Sequence, residues 1–152
     1  MAGTLGFNRR SDSITKNLRA PVQAQTSNTR VLVVEDHEDT RFMLKTMLEM
    51  RGLSVVEATD GEVAIAVAER EHPDLILMDG SLPSLDGFAA TRRIRELASA
   101  REVPIVFLSG HAQPAVEARA FAAGCTDYLI KPFAIEKLGS VLERHLPQSK
   151  AF

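Results

Sequence analysis

Short apolar runs that stop abruptly at a polar residue recur along this chain. VLVV at 31–34 stops at Glu35, LILM at 75–78 at Asp79, IVFL at 105–108 at Ser109, and DYLI at 127–130 at Lys131. A short apolar run bounded by turn residues reads as a buried strand, and SVVEA at 54–58 adds a shorter one. The intervening stretches carry helical signals. TRFMLKTMLEMRG spaces Phe42, Met43, Met47 and Met50 as on a helix and stops at Gly52. Asp60 can cap a second helix from Gly61 to about Glu71, and Asp86 a third with Phe88, Thr91, Ile94 and Leu97 or Ala98 along one face. QPAVEARAFAAG is a fourth helix stopped by Gly124, and 134–146 a fifth with Ile135, Leu138, Val141 and Leu142 inward.

Strands this apolar need cover on both faces, which calls for a parallel sheet. Right-handed crossovers then restrict the topology to a doubly wound α/β sheet with helices on both sides. The pattern fills residues 30–146 as one domain. Residues 1–29 read as a flexible N-terminal tail. They are basic and polar, with too few large apolar side chains to offset the entropy of ordering. They lack the apolar stretch of a secretory signal and weakly resemble an organellar transit peptide. Residues 147–152 read as a short C-terminal tail, too short for an output domain.

Charge and cysteine usage exclude some functions. The formal net charge of −2 is uneven: Arg9, Arg10, Lys16, Arg19 and Arg30 face Asp12 alone at the start, leaving the remainder at −6. An acidic body argues against a direct nucleic-acid surface. The single cysteine, Cys125, permits no internal disulfide and fits a reducing, cytoplasmic compartment. No apolar run approaches membrane-spanning length, so no membrane partner is expected.

In an open parallel sheet, ligands bind outside the carboxyl ends of the strands. Those ends are Glu35–Asp36, Asp79, Ser109 and the segment from Tyr128 to Lys131. Three carboxylates repel one another unless a cation joins them, and all-oxygen ligation favours Mg²⁺. His37 is the one imidazole beside the acids and is expected on the loop surface, so a structural zinc site is not expected. A carboxylate beside Mg²⁺ and a lysine can attack phosphorus to give an aspartyl phosphate, with Lys131 neutralising phosphoryl oxygens and Ser109 donating a hydrogen bond.

VLVVEDHED, DLILMDGSLPSLDG, PIVFLSG and DYLIKPF together resemble the response-regulator receiver domain, the phosphoacceptor module of two-component signalling. The resemblance covers roughly Arg30 to Leu146 and implies a flavodoxin-like strand order 2-1-3-4-5. It makes Asp79 the phosphorylated residue. Asp36 would hold Mg²⁺ directly, Glu35 through water and Ser81 through its backbone carbonyl. It also implies a cis peptide before Pro132, a switch pair of Ser109 and Tyr128, and Ser81 and His111 as modulators of phosphate lifetime. Glu35 stands for the commoner Asp, and Ser109 for the commoner Thr. Gly80 is expected to give the following turn freedom to bend.

The implied partners are a histidine kinase or phosphotransfer protein and an unidentified downstream protein. The latter would bind the face made by the fourth helix, fifth strand and fifth helix, drawing on 115–123, Tyr128 and 135–142. A monomer or weak homodimer signalling without an output domain of its own is expected. Two other readings remain: a non-phosphorylated interaction module on the same fold, and a hydrolase with an aspartyl-phosphate intermediate. The hydrolase would need a second acid two residues after the nucleophile, where this chain has Ser81.

Overall fold

The computed structural model describes residues 29–146; nearly all of the expected N-terminal tail and the whole C-terminal tail lie outside the described residues. The strands are β1 (Arg30–Val34), β2 (Ser54–Ala58), β3 (Leu75–Asp79), β4 (Ile105–Ser109) and β5 (Asp127–Ile130). The helices are α1 (Glu38–Met50), α2 (Gly61–Glu71), α3 (Gly87–Arg95), α4 (Pro114–Ala123) and α5 (Ile135–His145), with a 3₁₀ turn at Ala98–Ala100. All strands are parallel in the order β2-β1-β3-β4-β5, the doubly wound α/β arrangement expected.

The sheet has two apolar faces because successive strand residues point to opposite sides. Leu32, Val34, Ile76, Met78, Ile105 and Phe107 meet α2, α3 and α4 on one side. Val31, Val33, Leu75, Leu77, Val106 and Leu108 meet α1 and α5 on the other. Every residue of β3 and β4 is buried, which explains why those strands read as continuous apolar runs rather than alternating ones.

The caps fall where the sequence placed them. Asp60 accepts from the Val63 amide and Asp86 from the Ala89 amide, both at 2.9 Å, satisfying donors that each helix start leaves unpaired. Pro114 opens α4, and Gly124 closes it at φ 117°, a left-handed conformation that glycine adopts without strain.

Three expectations need correction. Helix α1 begins at Glu38 and buries Leu44 and Leu48, whereas Phe42 is 68 % exposed and Met50 82 %. This helix carries apolar residues on two faces, and periodicity cannot say which one the sheet covers. Ile135 is 57 % exposed because it opens α5, a turn ahead of the buried stripe Leu138, Val141 and Leu142. Helix α3 ends at Arg95, so Leu97 and Ala98 lie beyond it.

The amino-terminal rim of the sheet is tied by polar side chains. Arg95 donates from Nε to the Gly124 carbonyl at 2.8 Å and from Nη1 to the carbonyls of Val103 at 2.6 Å, Ala100 at 3.2 Å and Arg101 at 3.2 Å. Its Nη2 reaches Thr126 Oγ1 at 3.2 Å. Burial lowers its guanidinium pKa from the ordinary value. Asp127 is held by Arg144 and by His145 Nε2 at 2.9 Å. At β1, the Arg30 amide donates to Asp74 Oδ2 at 2.8 Å and Arg30 Nη1 to Glu71 Oε1 at 3.1 Å.

Candidate functional site

The opposite, carboxyl rim gathers the residues singled out from the sequence. Strand β1 ends just before Glu35 and Asp36, β3 ends on Asp79, β4 ends on Ser109, and β5 stops one residue before Lys131. The Lys131–Pro132 peptide is cis. Lys131 Nζ donates to Glu35 Oε1 at 3.0 Å and to Asp79 Oδ1 at 3.2 Å. Asp79 Oδ1 also accepts the Ser81 amide at 3.2 Å. His37 gives Glu35 Oε2 its backbone amide at 3.2 Å, and its Nδ1 stands 3.2 Å from the same oxygen.

The two buried carboxylates sharing Lys131 are not equivalent. Burial alone would raise the pKa of Glu35, but Lys131 and the His37 amide outweigh it, so the carboxyl sits below its ordinary value. Asp79 is pushed up to about 6, first by burial and then by the Glu35 charge, with Lys131 and the Ser81 amide opposing. Burial works against the Lys131 charge, yet Glu35 and Asp79 overcome it and raise the ammonium pKa. Asp79 is therefore the acid that lacks adequate counter-charge, and more positive charge beside it would favour its ionised, nucleophilic form.

A cation fits this rim. Asp36 Oδ1 is buried and accepts no hydrogen bond, and His37 Nδ1, 3.3 Å away, offers it a charge only when protonated; that is expensive for a carboxylate unless something positive meets it. Ligand atoms of Glu35, Asp36, His37 and Asp79 lie within 4.8 Å of one another. The donors are mostly carboxylate oxygens, the set suited to a hard divalent ion.

Ser109 is 5 % exposed, and its Oγ accepts the His111 amide at 3.1 Å. Tyr128 lies opposite Phe107 in register. Its ring stacks on Phe107 with centroids 6.0 Å apart, and its hydroxyl donates to the His111 carbonyl at 2.8 Å. One short loop, 110–113, thus connects the Ser109 and Tyr128 side chains through His111.

Sequence reasoning missed the packing around the aspartate. Gly80 has no left-handed backbone; a Cβ there would stand 2.7 Å from Phe107 Cε2. Glycine is needed for the Phe107 ring, not for a bend. A Cβ on Gly87 would collide with the Asp79 carbonyl oxygen, so α3 starts directly against the backbone of the site. Phe107 meets Phe88 at 4.8 Å, and the Arg119 guanidinium lies 4.0 Å from the Phe88 ring centre. A cavity of about 190 Å³ beside Gly80 and Ser81 is lined by Ser109, His111, Phe88, Val116 and Arg119. Only contacts between distant elements reveal this stack, and no local pattern announces them.

Comparison with known proteins places this geometry. Residues 31–143 match the family model described as the response regulator receiver domain. The transcriptional regulatory protein PdtaR of Mycobacterium tuberculosis is 42% identical over 115 residues, 75% of this chain and 55% of that one. ResD of Bacillus subtilis is 37% identical over 110 residues, 72% of this chain and 45% of that one. The chain spans less than half the length of several curated relatives it matches. Among solved structures, the receiver domain of sensor histidine kinase PA1611 from Pseudomonas aeruginosa has a TM-score of 0.73 and 39% identity, over 77% of this chain and 96% of that one. That structure holds a magnesium ion coordinated in the active site cleft. Chemotaxis protein CheY4 of Vibrio cholerae has a TM-score of 0.74 and 32% identity, over 78% of this chain and 98% of that one.

Proposed function

The chain belongs to the response regulator receiver family of two-component signalling, and on that premise we propose that it is a phosphorylation-driven switch whose phosphoacceptor is Asp79. The observation that carries this reading is the placement of Asp79: a buried carboxylate at a strand end, 3.2 Å from Lys131 and with its pKa raised to about 6. An ionised Asp79 oxygen bonds to phosphorus of a phosphohistidine donor, the P–N bond breaks, and the donor imidazole departs. Lys131 neutralises phosphoryl oxygens and Ser109 donates its hydroxyl to one of them, so both act on charge developing during transfer.

The cation would be Mg²⁺, with Asp36, Asp79 and the Ser81 backbone carbonyl to hold it and Glu35 acting through water. Such an ion would add positive charge for the phosphoryl oxygens to that of Lys131. The buried Asp36 Oδ1, which accepts no hydrogen bond, supports this assignment. Ser81 and His111, which border the cavity beside Asp79, govern how readily water reaches the aspartyl phosphate and so how long it lasts.

Phosphorylation draws the Ser109 hydroxyl toward the new group. Because Ser109 Oγ accepts from the His111 amide and Tyr128 holds the His111 carbonyl, that movement disturbs the Tyr128 contact and shifts a two-state equilibrium of the ring. The donor is a histidine kinase or phosphotransfer protein. The signal leaves through the face formed by α4, β5 and α5, read by a separate downstream protein. The receiver occupies residues 30–146 and works in the cytoplasm. It is regulatory: its chemistry is confined to its own phosphorylation and dephosphorylation. Among the described residues, no helix is long and apolar enough to cross a membrane.

The test is intact mass after incubation with acetyl phosphate or a panel of phosphorylated histidine kinases, with and without Mg²⁺. A Mg²⁺-dependent gain of one phosphoryl group in the wild type, absent in Asp79→Asn, is the expected result. No gain from any donor would overturn the proposal in favour of a non-phosphorylated interaction module.

A further inference from the structure

The acidic rim contains one group that an all-oxygen magnesium site does not need. His37 is the residue preceding α1, and its side chain is 74% exposed. It nonetheless turns back toward the carboxylates. Its Nδ1 stands 3.2 Å from Glu35 Oε2 and 3.3 Å from Asp36 Oδ1. Ligands about 2.1 Å from a common ion lie about 3.0 Å apart at right angles and about 3.4 Å apart in a tetrahedral array. The imidazole nitrogen therefore sits where a neighbouring ligand on the same ion would sit.

Hydrogen bonding alone leaves this arrangement incomplete. Nδ1 carries at most one proton, and its hydrogen bond goes to Glu35. Asp36 Oδ1, 3.3 Å away, is buried and has no hydrogen bond, and the imidazole meets it as an ion pair only when protonated. One ion placed against Asp36 Oδ1 would engage that oxygen and the nitrogen together, with Glu35 Oε2 reached through water. The exposure of the imidazole also suits a ligand that swings onto an ion entering from solvent. Helix capping does not compete, since the His37 side chain makes no capping bond to α1.

We propose that His37 Nδ1 is a metal ligand alongside Asp36 and Asp79, so that the site takes imidazole-accepting divalent transition ions such as Ni²⁺ in addition to Mg²⁺. The inference deepens the metal-site reading above and rests on it. Imidazole favours Ni²⁺ and Zn²⁺, whereas carboxylate and water favour Mg²⁺. Removing one nitrogen ligand should therefore change the two classes unequally.

The experiment is calorimetric titration of the full chain with Ni²⁺ and, separately, with Mg²⁺, on wild type, His37→Ala and Asp36→Asn. Pulsed electron paramagnetic resonance of bound Cu²⁺, an imidazole-accepting ion, then reads directly whether a nitrogen lies in the coordination sphere. In His37→Ala, Ni²⁺ affinity at the site that Asp36→Asn also weakens should fall at least tenfold, on the scale of changes to metal-supporting residues. Mg²⁺ affinity should change less than about twofold, the difference expected of a nitrogen ligand, and the nitrogen coupling should vanish. The Asp36→Asn comparison separates this site from His72, His111 and His145. Unchanged Ni²⁺ affinity, equal losses for both ions, or nitrogen coupling that survives His37→Ala would overturn the role of His37 while leaving the receiver reading intact. If both ions bind Asp36→Asn as tightly as wild type, the metal-site reading itself fails and this proposal with it.

Discussion

The two rims of this sheet are built from similar side chains and behave oppositely. At the amino rim, Arg95 reaches four backbone carbonyls and one hydroxyl, and Asp127 is met by Arg144 and His145. At the carboxyl rim, Glu35 and Asp79 share Lys131, while Asp36 keeps a buried oxygen without a hydrogen bond. The contrast appears in the carboxyl pKa values. Burial would raise Asp127, yet His145, the Tyr128 amide and Arg144 bring it below the ordinary value. Asp79 is raised to about 6. The difference teaches that polar residues at a strand end are not by themselves a functional signal. Uncompensated charge of one sign, held by the fold, is the signal.

The largest effect expected from this contrast lies in chemistry. Lys131→Ala should lower the rate of phosphoryl incorporation at least about 100-fold, since it removes a group acting on transition-state charge. Arg95→Ala should leave the rate per folded molecule within about twofold. Rapid-quench mass measurements on both variants would break the comparison if Arg95→Ala proved as inactive as Lys131→Ala. Next in size, Asp36→Asn should weaken Mg²⁺ binding roughly tenfold or more, measured by calorimetry.

Stability reverses the ranking of the rims. Arg95→Ala strips donors from several partly buried carbonyls and should destabilise the fold by about 2–4 kcal/mol in urea titration. The two aspartates then give opposite signs. The folded pKa of Asp127 is depressed, so its contribution is present above the unfolded pKa and lost as pH falls through the folded one. Asp127→Asn should cost about 1–3 kcal/mol at neutral pH and progressively less on acidification. The folded pKa of Asp79 is raised, so its ionisation penalises the fold as pH climbs from 3.8 to about 6. In EDTA, Asp79→Asn should therefore stabilise the protein at neutral pH by about 1–2 kcal/mol. That advantage should fade below about pH 4, near the unfolded value. Equal signs for the two variants would remove the distinction between the rims.

Much of the carboxyl rim was legible in the sequence, for a physical reason. Parallel strands put their last residues on one edge, so an apolar run that stops at Asp79 or Ser109 also states where that side chain goes. The amino rim was not legible, because Arg95 lies at the end of a helix and finds its carbonyls only after three other segments have folded around it. The same holds for Gly80, whose bare Cα makes room for Phe107, and for Gly87, whose reason is the Asp79 carbonyl. On α1, the apolar residues mark two faces, and only the sheet decides that Leu44 and Leu48 are the buried pair. His37 was expected on the surface; its ring is exposed, yet its Nδ1 turns to the carboxylates.

Tyr128 is the chain's one tyrosine, and the chain has no tryptophan. All of its longest-wavelength ultraviolet absorption and emission therefore arises from a single ring stacked on Phe107, with its hydroxyl on the His111 carbonyl. Loss of that hydrogen bond or of the stacking changes the optical signal of the whole chain at once. The protein carries its own spectroscopic gauge at the point where the switch is expected to turn, and neither a dye nor an introduced tryptophan is needed to read it.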